Sequence, residues 1–399
     1  MPWRTRSVKD ARQQLIDRVR VDHWSVSRAA REAGVSRTTA YKWLERYEKE
    51  GESGLEDQSR APQTVANRTE ESIEDAVIRL RRRYPTWGPK KLRAWLCRNN
   101  SEVSWPAAST MGEILNRAGL VEHRRRRRRV PRSEQKLEQA TRPNEVWCVD
   151  FKGQFRLGNG EQCYPLTVTD QYSRKLLCCE GLPSTDGEDV VDEMEELFLR
   201  EGLPERIRSD NGSPFASRGL LGLSYVSAWW LSLGIKHERI RPGHPEENGR
   251  HERMHLTLKR ETARPAAQTP REQQQRFNKF VRYFNEIRPH EALGQLTPSS
   301  QHTSNERRLS SVVPWTYPEF DMVRRVMANG AMKLGRQTIH VSQALAGYDV
   351  ALLEMEEGVW LVHYAGYNLG LLEPGETRLS RLDDSDAVGQ QEPEAAATA

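Results

Sequence analysis

The 399-residue sequence has no uncharged apolar stretch of membrane-spanning length, and its start, Met1-Pro-Trp-Arg-Thr-Arg-Ser-Val-Lys-Asp, lacks the apolar core of a secretion signal. Neither a membrane helix nor a leader is expected. Cysteine is sparse: Cys97, Cys148, Cys163, Cys178 and Cys179 are odd in number and lack paired metal-site spacing. That pattern argues against disulfides and structural zinc and suits a reducing cytoplasm. Net charge is small as well, since 61 Lys and Arg against 56 Asp and Glu leave only +5. The balance hides a gradient. Residues 1–140 carry 31 basic and 19 acidic side chains, residues 141–330 carry 26 of each, and residues 331–399 carry 4 and 11. A basic front of this kind is the expected footprint of nucleic-acid binding.

Residues 1–52 read as a helix-turn-helix domain. Ala29, Ala30 and Ala33 give a short helix a small-residue face, Gly34 suits a tight turn, and Ser36 can cap the next helix. On that second helix Ala40, Trp43, Leu44 and Tyr47 form an apolar stripe, which leaves Arg37, Thr38, Thr39, Tyr41 and Lys42 to meet the DNA major groove. An ordinary helical hairpin is the plainer alternative. Residues 66–122 read as a second helical, winged-helix-like DNA-binding domain, with Pro89 opening a helix and Lys90, Lys91 and Arg93 as candidate DNA contacts. Residues 123–140 form an Arg-rich linker whose Arg124, Arg125, Arg126, Arg127, Arg128 and Arg129 cannot bury a core; they suit phosphates, or a solvated tether.

From residue 141 to 300 the texture changes to alternating strands and helices. Val146–Phe151, Cys163–Thr169, Leu176–Cys179 and Arg206–Ser209 are strand candidates, and Val190, Val191, Met194, Leu197 and Phe198 mark an amphipathic helix. A mixed five-stranded sheet covered by helices follows. Asp150 and Asp210 each sit at the C-terminal end of a strand, although Asp210-Asn-Gly is also a common turn sequence. A Pro/Gly-rich loop then feeds a helix from about Asn248 that carries Glu252, His255 and Lys259 at helical spacing.

Four blocks, Trp147-Cys-Val-Asp-Phe, Ser209-Asp-Asn-Gly-Ser-Pro-Phe, Asn248-Gly-Arg-His-Glu-Arg-Met-His and Tyr283-Phe-Asn-Glu-Ile-Arg-Pro-His-Glu, closely resemble the integrase core of bacterial insertion-sequence transposases. These belong to the DDE transposase and retroviral-integrase superfamily. The resemblance implies an RNase H-like catalytic domain and a triad of Asp150, Asp210 and Glu252 as catalytic residues and metal ligands. There are 41 residues between Asp210 and Glu252. The shorter spacing common in the family would select Glu246, but Asn248-Gly-x-x-Glu-Arg puts Glu252 on a helix, where a rigid backbone can hold a ligand. Asp170 is a weaker substitute for Asp150. Lys259, seven residues beyond Glu252 on the helix, is the candidate contact for the transposon-end phosphate, and Arg250, Arg253 and His255 read equally as helpers or as surface charges and packing residues.

Three carboxylates suit phosphodiester transfer because two Mg²⁺ ions, for which Mn²⁺ can substitute, activate the attacking oxygen and stabilise the leaving one. The expected activity is hydrolysis at the 3′ ends of an insertion sequence, after binding of its terminal inverted repeats, and strand transfer into target DNA. The expected partners are double-stranded DNA, as transposon ends and target, and further copies of the chain in a dimer or larger assembly, bacterial and nucleoid-associated. A domesticated regulator that binds DNA without catalysis, and a nuclease that cuts without joining, are the alternatives. Residues 315–380, with runs at Thr338–Val341, Val350–Leu353 and Val359–Tyr364, predict a small β-barrel. Residues 383–399, acidic and Ala-rich, predict a disordered tail.

Overall fold

The computed structural model describes residues 7–57, 69–121, 137–217, 222–241, 244–356 and 358–382, without the side chains of Pro245 and Glu246. The arginine run at 124–129 and the acidic tail lie outside the described residues. The chain divides into two compact units, residues 1–70 and 71–399.

The first unit holds α1 (Val8–Arg20), α2 (Val26–Glu32) and α3 (Arg37–Glu50). Ser7 and Asp10 form a capping box that starts α1, and the Ser36 hydroxyl accepts the Thr39 N–H at 3.1 Å to start α3. Between α2 and α3, Gly34 takes φ +69°, a left-handed turn that a Cβ would strain. Leu15 and Ile16 of α1 complete the core with Ala30, Ala40 and Leu55, so the helix-turn-helix rests on a preceding helix that the sequence pattern did not single out.

The second unit begins with α4 (Glu71–Arg83), α5 (Pro89–Asn99) and α6 (Ala108–Arg117), packed around Val77, Leu80, Trp87, Leu92, Leu96, Met111, Ile114 and Leu115. No strand accompanies these helices among the described residues, so the expected wing is not seen there. Trp87 is buried, stacks on Tyr84 at 4.2 Å between centroids, and donates its Nε1–H to the Tyr283 hydroxyl at 2.5 Å. This contact fastens the basic helices to the body that follows.

That body is built from β1 (Val146–Phe151), β2 (Phe155–Arg156), β3 (Gln162–Asp170), β4 (Leu176–Leu182), α7 (Gly187–Glu201), β5 (Arg206–Ser209), α8 (Tyr225–Ser232), β6 (Lys236–Arg239), α9 (Gly249–Thr262) and α10 (Pro270–Arg282). The sheet runs β4-β3-β1-β5-β6, with the two-residue β2 added beside β3 as a sixth strand. Pairs β1/β3 and β3/β4 are antiparallel, whereas β1/β5 and β5/β6 are parallel. Alternation along β1 decides which side chains meet which layer. Trp147 and Val149 join α7 and α8 through Met194, Phe198, Val226 and Trp230. Cys148 and Asp150 face the other way, opposite Thr169 and Thr167 in the β1/β3 register, toward α9.

Beneath the sheet edge, Lys175 donates to both Glu201 carboxylate oxygens at 3.0 Å and His302 Nε2 lies 3.3 Å from the same group. Burial opposes ionisation of Glu201, but the His302 hydrogen bond and the Lys175 charge together hold its carboxyl down to about 2. His302 is raised above 6.5 because its hydrogen bonds to Asp170 and Glu201 outweigh burial. The signs are opposite. The Glu201 contribution is complete above its ordinary 4.5 and fades as pH falls toward 2; the His302 contribution is complete below 6.5 and fades as pH rises past it. Glu201→Gln is therefore expected to cost about 3 kcal/mol in denaturant unfolding near pH 5.5 and much less below pH 3. A deficit that does not change between those pH values would remove the ion cluster as its cause.

The C-terminal strands are β7 (Met322–Arg325), β8 (Ala331–Leu334), β9 (Gln337–His340), β10 (Asp349–Glu356), β11 (Val359–Tyr364) and β12 (Tyr367–Leu372). They form an open four-stranded sheet, β12-β11-β10-β7, and a separate β8/β9 hairpin, not the closed barrel the turn pattern predicts. Two single bridges, His340 with Arg378 and Leu371 with Ser380, are the only pairings between the following segment and these strands among the described residues. The physical reason is α8. Its Ala228 and Leu231 sit in the apolar core of the C-terminal strands, and Tyr364 donates to the Ala228 carbonyl at 3.0 Å, so this sheet covers its apolar face with a helix.

Candidate active site

Parallel neighbours β1 and β5 end side by side, and each end carries an aspartate. Asp150 is the fifth residue of β1, and Asp210 follows Ser209 directly. The Asp210 carboxylate accepts the Gly212 N–H at 3.0 Å, and the Asn211 amide donates to the Ile240 carbonyl at 2.6 Å, which ties the loop to the chain after β6. A Cβ on Gly212 would stand 3.1 Å from an Asp210 carboxylate oxygen, so a larger residue there would push that carboxylate by a few tenths of an ångström.

Helix α9 lies over the same end. Glu252 is in its first turn and exposed, while His251, Met254, His255 and Leu258 are buried against the sheet and α10. Burial first, then the neighbouring charges of Asp210 and Glu252, together push the Asp150 carboxyl up to about 7. The three carboxylates thus share one electrostatic neighbourhood, in which a divalent cation would relieve their repulsion. Oxygen donors of this type suit a hard cation.

The histidines add a network that sequence patterns hid. Thr167 donates its hydroxyl hydrogen to the Asp150 carbonyl at 2.9 Å, and its oxygen lies 2.8 Å from His251 Nε2 and 2.7 Å from His255 Nε2. With that single hydrogen committed, both Nε2 atoms must be the donors. His251 Nδ1 then accepts from Thr169 at 2.7 Å, and His255 Nδ1 turns its lone pair toward Asp150 Oδ2, 3.7 Å away. Burial keeps both rings neutral, lowering His251 to about 3 and His255 to about 2. Asp150, His251 and His255 each bring one ligand atom within 4.8 Å of the others. His255, expected at the DNA surface, is instead 5 % exposed and belongs to this network, because Thr167 offers it a polar partner beneath α9.

The other expected residues separate into groups. Lys259 is exposed on α9 and shares a small cleft with Lys152, two residues beyond Asp150 on the same side of the strand. Burial, then the charge of Lys259, pushes the Lys152 ammonium down. Only the period-two spacing from Asp150 could have pointed to Lys152. Lys90, Lys91 and Arg250 line one cleft together, with Lys90 ion-paired to Glu291 at 2.6 Å. Arg93 is exposed and donates to the Pro106 carbonyl. In the first unit Arg37, Thr38, Tyr41 and Lys42 are exposed, whereas the Thr39 hydroxyl is engaged by the Ser36 cap at 2.8 Å. Asp170 is no substitute for Asp150: fully buried, it accepts the N–H groups of Asn144 and Ser173 and the Ser173 hydroxyl. Glu247 is bound to Arg241 at 2.6 Å. Asn285 clamps both the N–H and the carbonyl of Leu176.

Two models of the integrase core domain match residues 140–245 and 233–298, and a helix-turn-helix domain and a homeodomain-like domain match residues 11–63 and 39–115. The insertion element IS476 uncharacterized 39.2 kDa protein of Xanthomonas euvesicatoria is 29% identical over 198 residues, 49% of this chain and 55% of that protein. The insertion element IS407 uncharacterized 31.7 kDa protein of Burkholderia multivorans is 29% identical over 188 residues, 47% of this chain and 65% of that protein. The chain thus spans between half and two thirds of the length of these curated relatives. Among solved structures, the HTLV-2 integrase catalytic core domain in complex with magnesium is 17% identical, covers 41% of this chain and all of its own, and superposes with a TM-score of 0.34. The chain thus carries an integrase core domain at residues 140–298, preceded by matches to helix-turn-helix and homeodomain-like domains, and is similar over about half its length to proteins of bacterial insertion elements.

Proposed function

We propose that this protein is an insertion-sequence transposase that binds the terminal inverted repeats of its element, hydrolyses the DNA at the 3′ ends and transfers the resulting 3′-hydroxyl groups to target DNA. What supports the reading is that Asp150 and Asp210 lie at the ends of adjacent parallel strands, that Glu252 lies in the first turn of α9, and that the charges of Asp210 and Glu252 add to burial in raising the cost of ionising Asp150. In this reading the three carboxylates hold two divalent cations, Mg²⁺ or Mn²⁺, which supply an activated oxygen and neutralise charge at the phosphorus when bound. Gly212 fixes the Asp210 carboxylate through its N–H. Thr167 holds the backbone of Asp150 through its carbonyl, and the neutral His255 ring packs beside the carboxylate. Lys152 and Lys259 flank the carboxylates as cations for the phosphate being cut. The exposed start of α3 and the basic surface of α5 serve as DNA-gripping elements, and two copies or more of the chain hold the two DNA ends.

The test is direct. Full-length protein is incubated with an oligonucleotide duplex bearing the element's end, a plasmid target, and Mg²⁺, Mn²⁺ or EDTA. Metal-dependent release of a 3′-hydroxyl end and its covalent joining to the plasmid are the expected products. Cutting without joining would make the protein a nuclease, and end binding without cutting in either metal would make it a regulator.

A further inference from the structure

Between the start of α5 and the first turns of α9 lies a cleft of about 830 Å³ that the chemistry above does not use. Six cations border it: Lys90, Lys91, Arg174, Arg250, Arg253 and Arg288. Two of them lie within ion-pair distance of a carboxylate, Lys90 with Glu291 at 2.6 Å and Arg288 with Glu261 at 3.5 Å. The two acids in the lining are already committed, Glu291 to Lys90 and Asp170 to backbone and hydroxyl donors. Lys91, Arg174, Arg250 and Arg253 make no ion pair among the described residues.

Three further observations point to a missing anion. Arg174 sits at φ +65°, a backbone setting uncommon for a non-glycine residue, and its Nη1 is shut from solvent without a hydrogen-bond partner. Lys90 and Lys91 occupy the first turn of the eleven-residue α5, which has no acid there, so two cations stand at the positive end of a helix dipole. Burial, followed by the charges of Arg288 and Arg253, pushes the Lys91 ammonium down to about 8. The unpartnered Arg174 Nη1 and the two lysines at the start of α5 are unfavourable alone and become favourable once a polyanion enters.

The size and position select the anion. A volume of this order falls within the roughly 300–1,000 Å³ of small-ligand sites and is too small for a duplex, whose major groove alone is about 12 Å wide. Met254 and Phe284 give the lining an apolar surface suited to bases. His251 and Thr169 border the cleft, and His251 shares Thr167 with the residue facing Asp150. Arg250 and Arg253 flank Glu252 on α9. We propose that this cleft seats one or two unpaired nucleotides of a DNA strand by their phosphates, directly beside the carboxylate site. The inference rests on the reading of DNA as the substrate of that site.

The probe is a 5′-phosphorylated thymidine dinucleotide, titrated calorimetrically into the full chain in EDTA at 0.1 M salt. Saturable one-to-one binding is expected, weakened at least tenfold in the Arg174→Gln/Arg253→Gln protein and unchanged in Arg325→Ala, which alters an exposed arginine of β7. Should the double variant melt earlier than the wild type, Lys91→Gln/Arg250→Gln replaces it, with the same tenfold loss expected. Inorganic pyrophosphate is expected to bind more weakly than the dinucleotide. Unaltered dinucleotide affinity in a folded double variant overturns the proposal; so does pyrophosphate binding as tight as the dinucleotide, which would make the cleft a site for free phosphates. Because the titration contains no metal, it separates the two readings. Failure of joining in every metal, with the tenfold loss intact, removes the transposase and leaves the nucleotide seat.

Discussion

Asp150→Asn protein is expected to lose DNA cleavage and joining by about a thousandfold or more, and yet to unfold at a higher temperature than the wild type when metal is withheld. The opposite signs come from one cause. Burial and the nearby charges of Asp210 and Glu252 lift the Asp150 carboxyl from its ordinary 3.8 to about 7. A carboxyl raised on folding binds more protons in the native state, so stability declines as pH rises from 3.8 through about 7 and stays reduced above it. The Asp150 side chain retains 22% exposure, which tempers the effect to an expected gain of about 2 kcal/mol for the amide at pH 8. Adding Mn²⁺ should raise the melting temperature of the wild type and leave that of Asp150→Asn nearly unmoved. Asp210→Asn and Glu252→Gln should match its loss of joining. Full joining by Glu252→Gln would remove that residue from the triad, and a lower metal-free melting temperature for Asp150→Asn would remove the repulsion.

Trp87→Ala carries the second large effect, a loss of about 3–5 kcal/mol in denaturant unfolding of the second unit. Trp87 is wholly buried, stacks on Tyr84, donates to the Tyr283 hydroxyl and offers its own carbonyl to Arg81. Tyr283 also accepts from Arg288 at 2.9 Å, so the same ring ties α4 to α6 onto the catalytic body through one polar and one stacking contact. Removing the indole leaves a cavity and takes one of its two donors from the Tyr283 hydroxyl. Trp87→Phe should restore the stacking and about half of the stability, since only the hydrogen bond is then missing. If Trp87→Ala cost under about 1 kcal/mol, the helices would be held by something other than this stack.

Much of the catalytic body was legible because its signals are local. Val146–Phe151 and Arg206–Ser209 emerge as strands at the expected residues, and α9 starts where the Asn248-Gly pattern puts it. What escaped depends on register and on distant partners. His255 follows Glu252 by three residues and reads as its companion, but the helix turns it inward onto Thr167, whose place opposite Asp150 is set by the β1/β3 pairing. Trp87 and Tyr283 meet across 196 residues of sequence, a distance no periodicity spans. The open C-terminal sheet escaped for the same reason, since strand lengths and glycine turns say nothing about a helix arriving from 130 residues earlier to cover it.

That helix has a consequence for where the catalytic body can be cut. The Val226 and Trp230 side of α8 completes the sheet core, while Ala228 and Leu231 complete the core of the strands after residue 322. An eight-residue helix apolar on both sides cannot face water on either. The recognisable domain stops at residue 298, but the folding unit does not. A chain ended at residue 300 would bare Ala228, Leu231 and the Ala228 carbonyl that Tyr364 satisfies, and copies of it would meet through that face. The C-terminal sheet therefore covers a helix that also belongs to the core of the preceding sheet.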